Sequence, residues 1–184
     1  MDHVLNLIKS RRSTRKFSDR AVPQECLLQV LEAGRYAPSG KNVQKTHFLV
    51  IKNKAVLDRL AELVRQAFSC TPDAKSSSYV FHYNPNVLII TANALENDNN
   101  LADCSCALEN MMLMATALGL GSCWINQLKR FQEDPDLLSC LRELGMADNE
   151  RVFGALALGY PATEDGKPAS DPLPRTGNTV TFVE

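Results

Sequence analysis

The chain has 184 residues, of which 45% are hydrophobic and 22% charged, and its formal net charge is −1. That length suits one compact domain with a real core and leaves little room for a second. A near-neutral charge excludes an electrostatic trap spread over the whole surface for nucleic acid or membrane, so any anion must be held by a local cluster.

Val4, Leu5, Leu7 and Ile8 give residues 3–12 the periodicity of a short amphipathic helix, ending in basic residues that complement its dipole. Pro23 opens a second helix with Leu27, Val30, Leu31 and Gly34 as its inner stripe, and it stops before Pro38. Phe48-Leu49-Val50-Ile51 reads as a strand, and Val56, Leu57, Leu60, Leu63, Val64, Ala67 and Phe68 then recur at helical spacing. Pro72, Ser76, Ser77, Ser78, Asn84 and Pro85 mark residues 69–85 as a surface loop. Val87-Leu88-Ile89-Ile90 is a second buried strand. Residues 101–118 are apolar nearly all round, so that helix belongs in the middle of the structure or in an oligomer interface. Gly119-Leu120-Gly121 ends it, and Ser122-Cys123-Trp124-Ile125 looks like the next strand. A helix around 135–144 and a strand over 152–158 follow. The tail from Gly159 is rich in proline, glycine and acidic residues until a strand-like tip, Val180-Thr181-Phe182-Val183. Helices interleaved with three or four buried strands make an α/β or α+β layered domain. The long irregular tail is expected to reach a neighbouring subunit.

No apolar run reaches the length of a membrane span. The first twenty residues, with Asp2, Lys9 and Arg11, lack the apolar core of a secretory signal, and a cytoplasmic location is expected. Cys26, Cys70, Cys104, Cys106, Cys123 and Cys140 then read as free thiols packed like small apolar residues. Cys104-Ser105-Cys106 lacks the convergent soft ligands of a structural zinc, and no metal site is expected.

Chemistry concentrates in two places. Arg11-Arg12-Ser13-Thr14-Arg15-Lys16-Phe17 sets three guanidinium groups and a hydroxyl within five residues. Planar arginine forks suit a phosphate oxyanion. In Ala37-Pro38-Ser39-Gly40-Lys41-Asn42-Val43-Gln44, the side chains of Ser39, Asn42 and Gln44 suit the edge of a flat heterocycle. Together the segments read as a site for a phosphorylated aromatic cofactor. Spacing alone leaves alternatives open: a solvated helix end, or a nucleic-acid patch on the basic cluster, and an ordinary turn over 37–44 in which Ser39 and Asn42 bond their own backbone. Gly119-Leu120-Gly121-Ser122 does not follow a strand and reads as a helix cap rather than a dinucleotide fingerprint. Arg175 is an isolated cation between Pro174 and Thr176. His3, His47 and His82 have no obvious partners, and Asp103 and Glu109, six residues apart on a helix, face different ways. No hydrolytic triad is offered.

The order of RRSTRKF, APSGKNVQ, Glu109-Asn110-Met111-Met112-Leu113-Met114-Ala115, Gly119-Leu120-Gly121-Ser122-Cys123-Trp124-Ile125 and Leu158-Gly159-Tyr160-Pro161 resembles the short-chain members of the nitroreductase family, from about residue 8 to 161. The resemblance implies an α+β fold layered α/β/α, with a mixed, mainly antiparallel sheet and a C-terminal arm exchanged in a homodimer. It implies a single FMN-binding domain over 1–184, with 160–184 as a C-terminal extension. By the same match, Arg11, Arg12 and Ser13 hold the FMN phosphate, and Arg15 faces the flavin ring and tunes it. Pro38, Ser39, Gly40, Asn42 and Gln44 come from the partner subunit, and Arg175 completes the phosphate clamp. The implied activity is an NAD(P)H oxidoreductase, with NADH or NADPH as donor, reducing nitroaromatics, quinones or similar flat acceptors by ping-pong two-electron transfer. The alternative is a flavin-binding or redox-sensing module with little turnover. Neither a nucleic-acid nor a membrane partner is expected. Lys45 and Thr46 depart from the family's usual proline and aromatic, and 69–85 is short beside the lids of larger members.

Overall fold

The structure, a computed structural model, describes residues 2–164 and 174–184. Its elements are α1 (Asp2–Ser10), α2 (Gln24–Arg35), β1 (His47–Ile51), α3 (Lys54–Ser69), β2 (Val87–Ala94), α4 (Asn100–Ala117), β3 (Gly121–Ile125), α5 (Gln127–Arg130), α6 (Pro135–Glu143) and β4 (Glu150–Gly159). The four strands form one sheet in the order β1-β2-β4-β3, with every neighbouring pair antiparallel. Among the described residues, the parallel component is a single bridge from Ser13, which lies outside the strands, to Ser122 of β3.

The two central strands are covered on both faces, which is why they read as continuous apolar runs. Leu88, Ile90 and Ala92 of β2 pack with Leu57, Leu60 and Val64 of α3 and with Leu137 and Leu141 of α6. Val87 and Ile89 point the other way, among Leu27 and Val30 of α2 and Leu108 and Met111 of α4. A three-layer α/β/α domain results. Asn53 caps α3 by accepting from the Ala55 N–H at 2.9 Å, and Asp134 caps α6 by accepting from the Leu137 N–H at 3.0 Å. Helix α4 is central within the single chain: Cys104, Ala107, Leu108, Met111 and Ala115 are buried, while Leu113 and Met114 are half-covered. It ends as the glycines foretell, with the Leu120 N–H on the Ala115 carbonyl at 2.8 Å and the Gly119 N–H on that of Thr116 at 3.1 Å.

Two expectations need correction. Past Ser69, where α3 ends, the expected loop of residues 69–85 holds no helix or strand, but it is not wholly surface, because Phe81 and His82 are each only 1% exposed and Phe81 joins the α3 side of the core. Residues 180–183 form no strand: Val180, Phe182 and Val183 are exposed, and no edge of this sheet pairs with them. A strand needs a ladder to join, and among the described residues the tip finds none. The helical turn α5 goes unforeseen, being too short to show a period.

Candidate active site

The basic segment leaves α1 and runs beside β3, the last strand of the sheet. Ser13 bridges Ser122, and the Thr14 N–H donates to the Ser122 carbonyl at 2.8 Å. Further on, Phe17 bridges Pro161, and the Ser18 N–H donates to the Tyr160 carbonyl at 2.9 Å. This approach requires glycine. A Cβ on Gly121 would stand 2.6 Å from Thr14 Oγ1, and one on its cross-strand partner Gly159 would stand 2.9 Å from the Phe17 ring.

Three polar atoms at this pairing are buried without a hydrogen-bond partner: Arg12 Nε, Thr14 Oγ1 and Ser122 Oγ. Buried polar groups are normally paired. A guanidinium donor and two hydroxyls left over on adjoining residues suit a ligand that brings its own acceptors. Arg11 is half-buried and only loosely engaged, its Nε 3.8 Å from the Glu109 carboxylate. The Arg15 guanidinium lies 5.9 Å from the centre of the Tyr83 ring. Cys123 faces the same group. Burial pushes its thiol up, against the opposing pull of Arg15, a Ser13 hydrogen bond and Arg11, so it stays protonated and unsuited to nucleophilic attack at neutral pH.

The second segment is a tight loop that follows α2 and packs against the start of α4 at Asp103. The Asn42 N–H donates to the Ser39 carbonyl at 2.9 Å, the Gln44 N–H to Ser39 Oγ at 3.0 Å, and Gln44 Nε2 to Asn42 Oδ1 at 2.9 Å. Ser39 thus bonds its own backbone, whereas the Asn42 side chain meets a side chain. Lys41, Asn42 and Gln44 adopt φ values of 54°, 54° and 52°. Left-handed backbone is costly for such residues and persists only where the surroundings enforce it. Asp103 supplies the enforcement. It is 3% exposed and accepts from the Gly40 N–H at 2.8 Å and from Asn97 Nδ2 at 3.0 Å. A cavity of about 500 Å³ opens on the loop, lined by Tyr36, Pro38, Ser39, Asn42, Gln44 and Thr46 among others. Among the described residues, no hydrogen bond or ion pair joins this loop to the Arg11–Arg15 segment. Arg175 is exposed and bonded to neither.

The model of the nitroreductase family matches residues 8–160. The chain belongs to the nitroreductase family. An Archaeoglobus fulgidus protein provisionally named NADH dehydrogenase/NAD(P)H nitroreductase is 34% identical over 174 residues, covering 89% of this chain and 88% of its own. A Bacteroides fragilis nitroreductase crystallised with bound FMN is 38% identical, covers both chains completely and superposes with a TM-score of 0.92. An FMN-dependent nitroreductase of Clostridium difficile is 29% identical over 91% of this chain and 92% of its own, with a TM-score of 0.71.

Within this nitroreductase fold, several residues do work that the sequence hides. His82 Nδ1 accepts from the Asn84 N–H at 3.1 Å, so Nε2 carries the proton and donates to the Leu57 carbonyl at 3.0 Å. His47 likewise has a partner, Glu150 Oε2 at 2.9 Å. The cysteines are free, but only Cys104, Cys123 and Cys140 are buried, and Cys70 is exposed. Asp103 is the loop-holding residue that spacing could not reveal, since its contact with Gly40 spans 63 positions. No helix among the described residues is long and apolar enough to cross a membrane.

Proposed function

We propose that this protein is an FMN-dependent NAD(P)H oxidoreductase that acts as a homodimer on nitroaromatics, quinones or similar flat acceptors. The observation that carries the reading is the set of buried, unpartnered donors on Arg12, Thr14 and Ser122 beside two further arginines, in a chain 38% identical to a nitroreductase crystallised with FMN. Those residues fit a phosphorylated heterocycle. Arg11 and Arg12 would hold the phosphate by charge-assisted bonds, with Ser13 as a third donor and Arg175 closing the clamp. Glu109, 3.8 Å from Arg11 Nε, engages the fork only loosely and leaves it available to a phosphate. Arg15 would lie along the ring edge, where a fixed cation favours extra negative charge on the bound group. When bound, FMN takes two electrons from the nicotinamide and passes them to the acceptor.

Pro38, Ser39, Gly40, Asn42 and Gln44 would be supplied by the partner subunit. The support is their separation from the basic segment within one chain, together with a loop held in a strained shape by Asp103 although it makes no such bond to its own chain's basic site. The exposed tail tip, with Phe182 86% exposed, gives the second copy a further apolar hold. The protein's own groups do no acid–base chemistry in this account: Cys123 is a buried thiol, and His82 is committed to Leu57 and Asn84.

The test is the identity of the cofactor. Protein purified without added flavin should be yellow and should release FMN on heating, identified by chromatography. FAD, or a colourless protein that takes up no FMN, would overturn the reading.

A further inference from the structure

A second cavity, of about 530 Å³, lies where the loop after α3 meets α5. Phe68, Tyr79 and Gln127 line it together with three cations, Lys75, Lys129 and Arg130. Its aromatic wall is rigid: Phe68 meets Tyr79 edge-to-face with centroids 5.6 Å apart, and meets Phe131 at 4.6 Å. Lys75 Nζ lies 5.2 Å from the Phe68 ring centre and 5.8 Å from that of Tyr79, and the Arg130 guanidinium lies 5.1 Å from Phe68.

Charge is not balanced here. Asp73 pairs with Arg130 at 2.8 Å, while Glu133 is engaged with Arg151. Among the described residues, neither Lys75 nor Lys129 has an ion-pair partner. Cation–π contacts explain how Lys75 and Arg130 are held. They do not explain why like charges gather round one hollow, which costs stability until an anion enters. Gln127 Nε2 donates to the Tyr79 hydroxyl at 3.1 Å, which leaves the phenol O–H free to donate to a ligand. Burial pushes the Tyr79 phenol up, so that proton is present at neutral pH. The loop that carries Lys75 and Tyr79 also carries Tyr83, whose ring centre lies 5.9 Å from the Arg15 guanidinium.

We propose that this cavity binds a planar aromatic ligand bearing a carboxylate or phosphate, with the ring against Phe68 and Tyr79 and the anion between Lys75 and Lys129. Two sources share that chemistry: an acidic aromatic acceptor, and the phosphorylated adenosine half of a nicotinamide donor. The cavity's role in turnover rests on the flavin reading above, but its occupancy does not.

Calorimetric titration of the purified protein tests it, using p-nitrobenzoate against p-nitrobenzamide and NADP+ against NAD+. In at least one pair the member with the extra charge should bind about tenfold more tightly, as for one charge-assisted contact. Lys75→Gln and Lys129→Gln should each remove most of that preference, while Lys75→Arg and Lys129→Arg retain it. A preference in the nitrobenzoate pair makes the ligand an acceptor; one in the dinucleotide pair makes it the donor. Wild-type protein that prefers neither charged member, or glutamine variants with the preference intact, would overturn the proposal. Visible absorption of the same samples keeps the two readings apart. Yellow protein without discrimination sinks the cavity alone, and colourless protein that still discriminates sinks the flavin alone.

Discussion

Replacing Gly121 with alanine tests whether the basic segment is held where its function requires. The new Cβ would stand 2.6 Å from Thr14 Oγ1 and 2.8 Å from both Thr14 Cβ and Cγ2, where ordinary contact begins at 3.4 Å. Thr14 would have to retreat by about 0.6–0.8 Å to restore normal packing, on the scale of shift by which overpacked cores relax. It is poorly able to do so. Its N–H is fixed to Ser122 at 2.8 Å, and the segment is pinned again by the Phe17–Pro161 bridge and by Ser18 on Tyr160. Overpacking of this kind costs about 1–3 kcal/mol. Because Ser13 and Arg15 flank Thr14, the same shift should break a charge-assisted contact to the phosphate or ring, weakening FMN roughly ten- to hundredfold. Urea unfolding followed by circular dichroism reads the first effect, and quenching of flavin fluorescence on titration reads the second. Gly121→Ala combined with Thr14→Gly removes all three contacting atoms and should relieve the overpacking, while the lost Thr14 hydroxyl keeps FMN weaker than in the wild type. A Gly121→Ala protein with wild-type stability and wild-type FMN affinity would show that the segment is not packed on β3 as described.

Arg15→Ala should leave the fold and FMN content intact while lowering the flavin's reduction potential, measured by dye-equilibrated titration; Arg11→Ala should instead weaken FMN retention about tenfold or more. Identical behaviour of the two variants would refute the division of roles. His82 is 1% exposed, and burial holds its imidazole below the ordinary 6.5. The unfolded chain therefore takes up a proton that the folded one refuses, so stability is full above about pH 6.5 and falls below it, by at most about 1.4 kcal/mol per pH unit from this group. His82→Gln should flatten that stretch of a stability-versus-pH curve; an unchanged slope would assign it elsewhere. Deleting residues 174–184 should shift sedimentation toward monomer and loosen FMN together, and a stable, flavin-loaded dimer after deletion would remove the tail from both interface and site.

The layers of this fold are legible because the strands and helices carry their own periods. Val87-Leu88-Ile89-Ile90 announces a strand covered on both faces, and the Leu57, Leu60, Val64 stripe announces a helix with one. The cap at Gly119 follows from local chemistry alone. What stays hidden depends on distance along the chain. Asp103 looks like a helix-surface carboxylate until Gly40 is seen to donate to it, and His82 looks unpartnered until Leu57 and Asn84 close on it. Phe81 sits in a polar, proline-containing stretch whose composition says surface, yet its ring has a place in the core against α3. The tip at 180–183 shows the reverse case: its strand-forming residues are real, but pairing is a property of two strands, and among the described residues the second is lacking. The basic cluster lies between these extremes. Its residue types point to phosphate, whereas the unpartnered donors on Arg12, Thr14 and Ser122 emerge only when Ser13 meets Ser122.

On the proposed reading, this chain moves electrons from a nicotinamide to a flat acceptor through FMN held at the Arg11–Arg15 segment. The most direct measurement is anaerobic stopped-flow absorption of the purified protein, mixed first with NADH or NADPH and then with a quinone. At least one nicotinamide should abolish the visible flavin absorption and the quinone should restore it, with parallel-line steady-state kinetics because the two substrates use one surface in turn. A flavin that stays oxidised with both nicotinamides would contradict it and leave a flavin-binding module with little turnover.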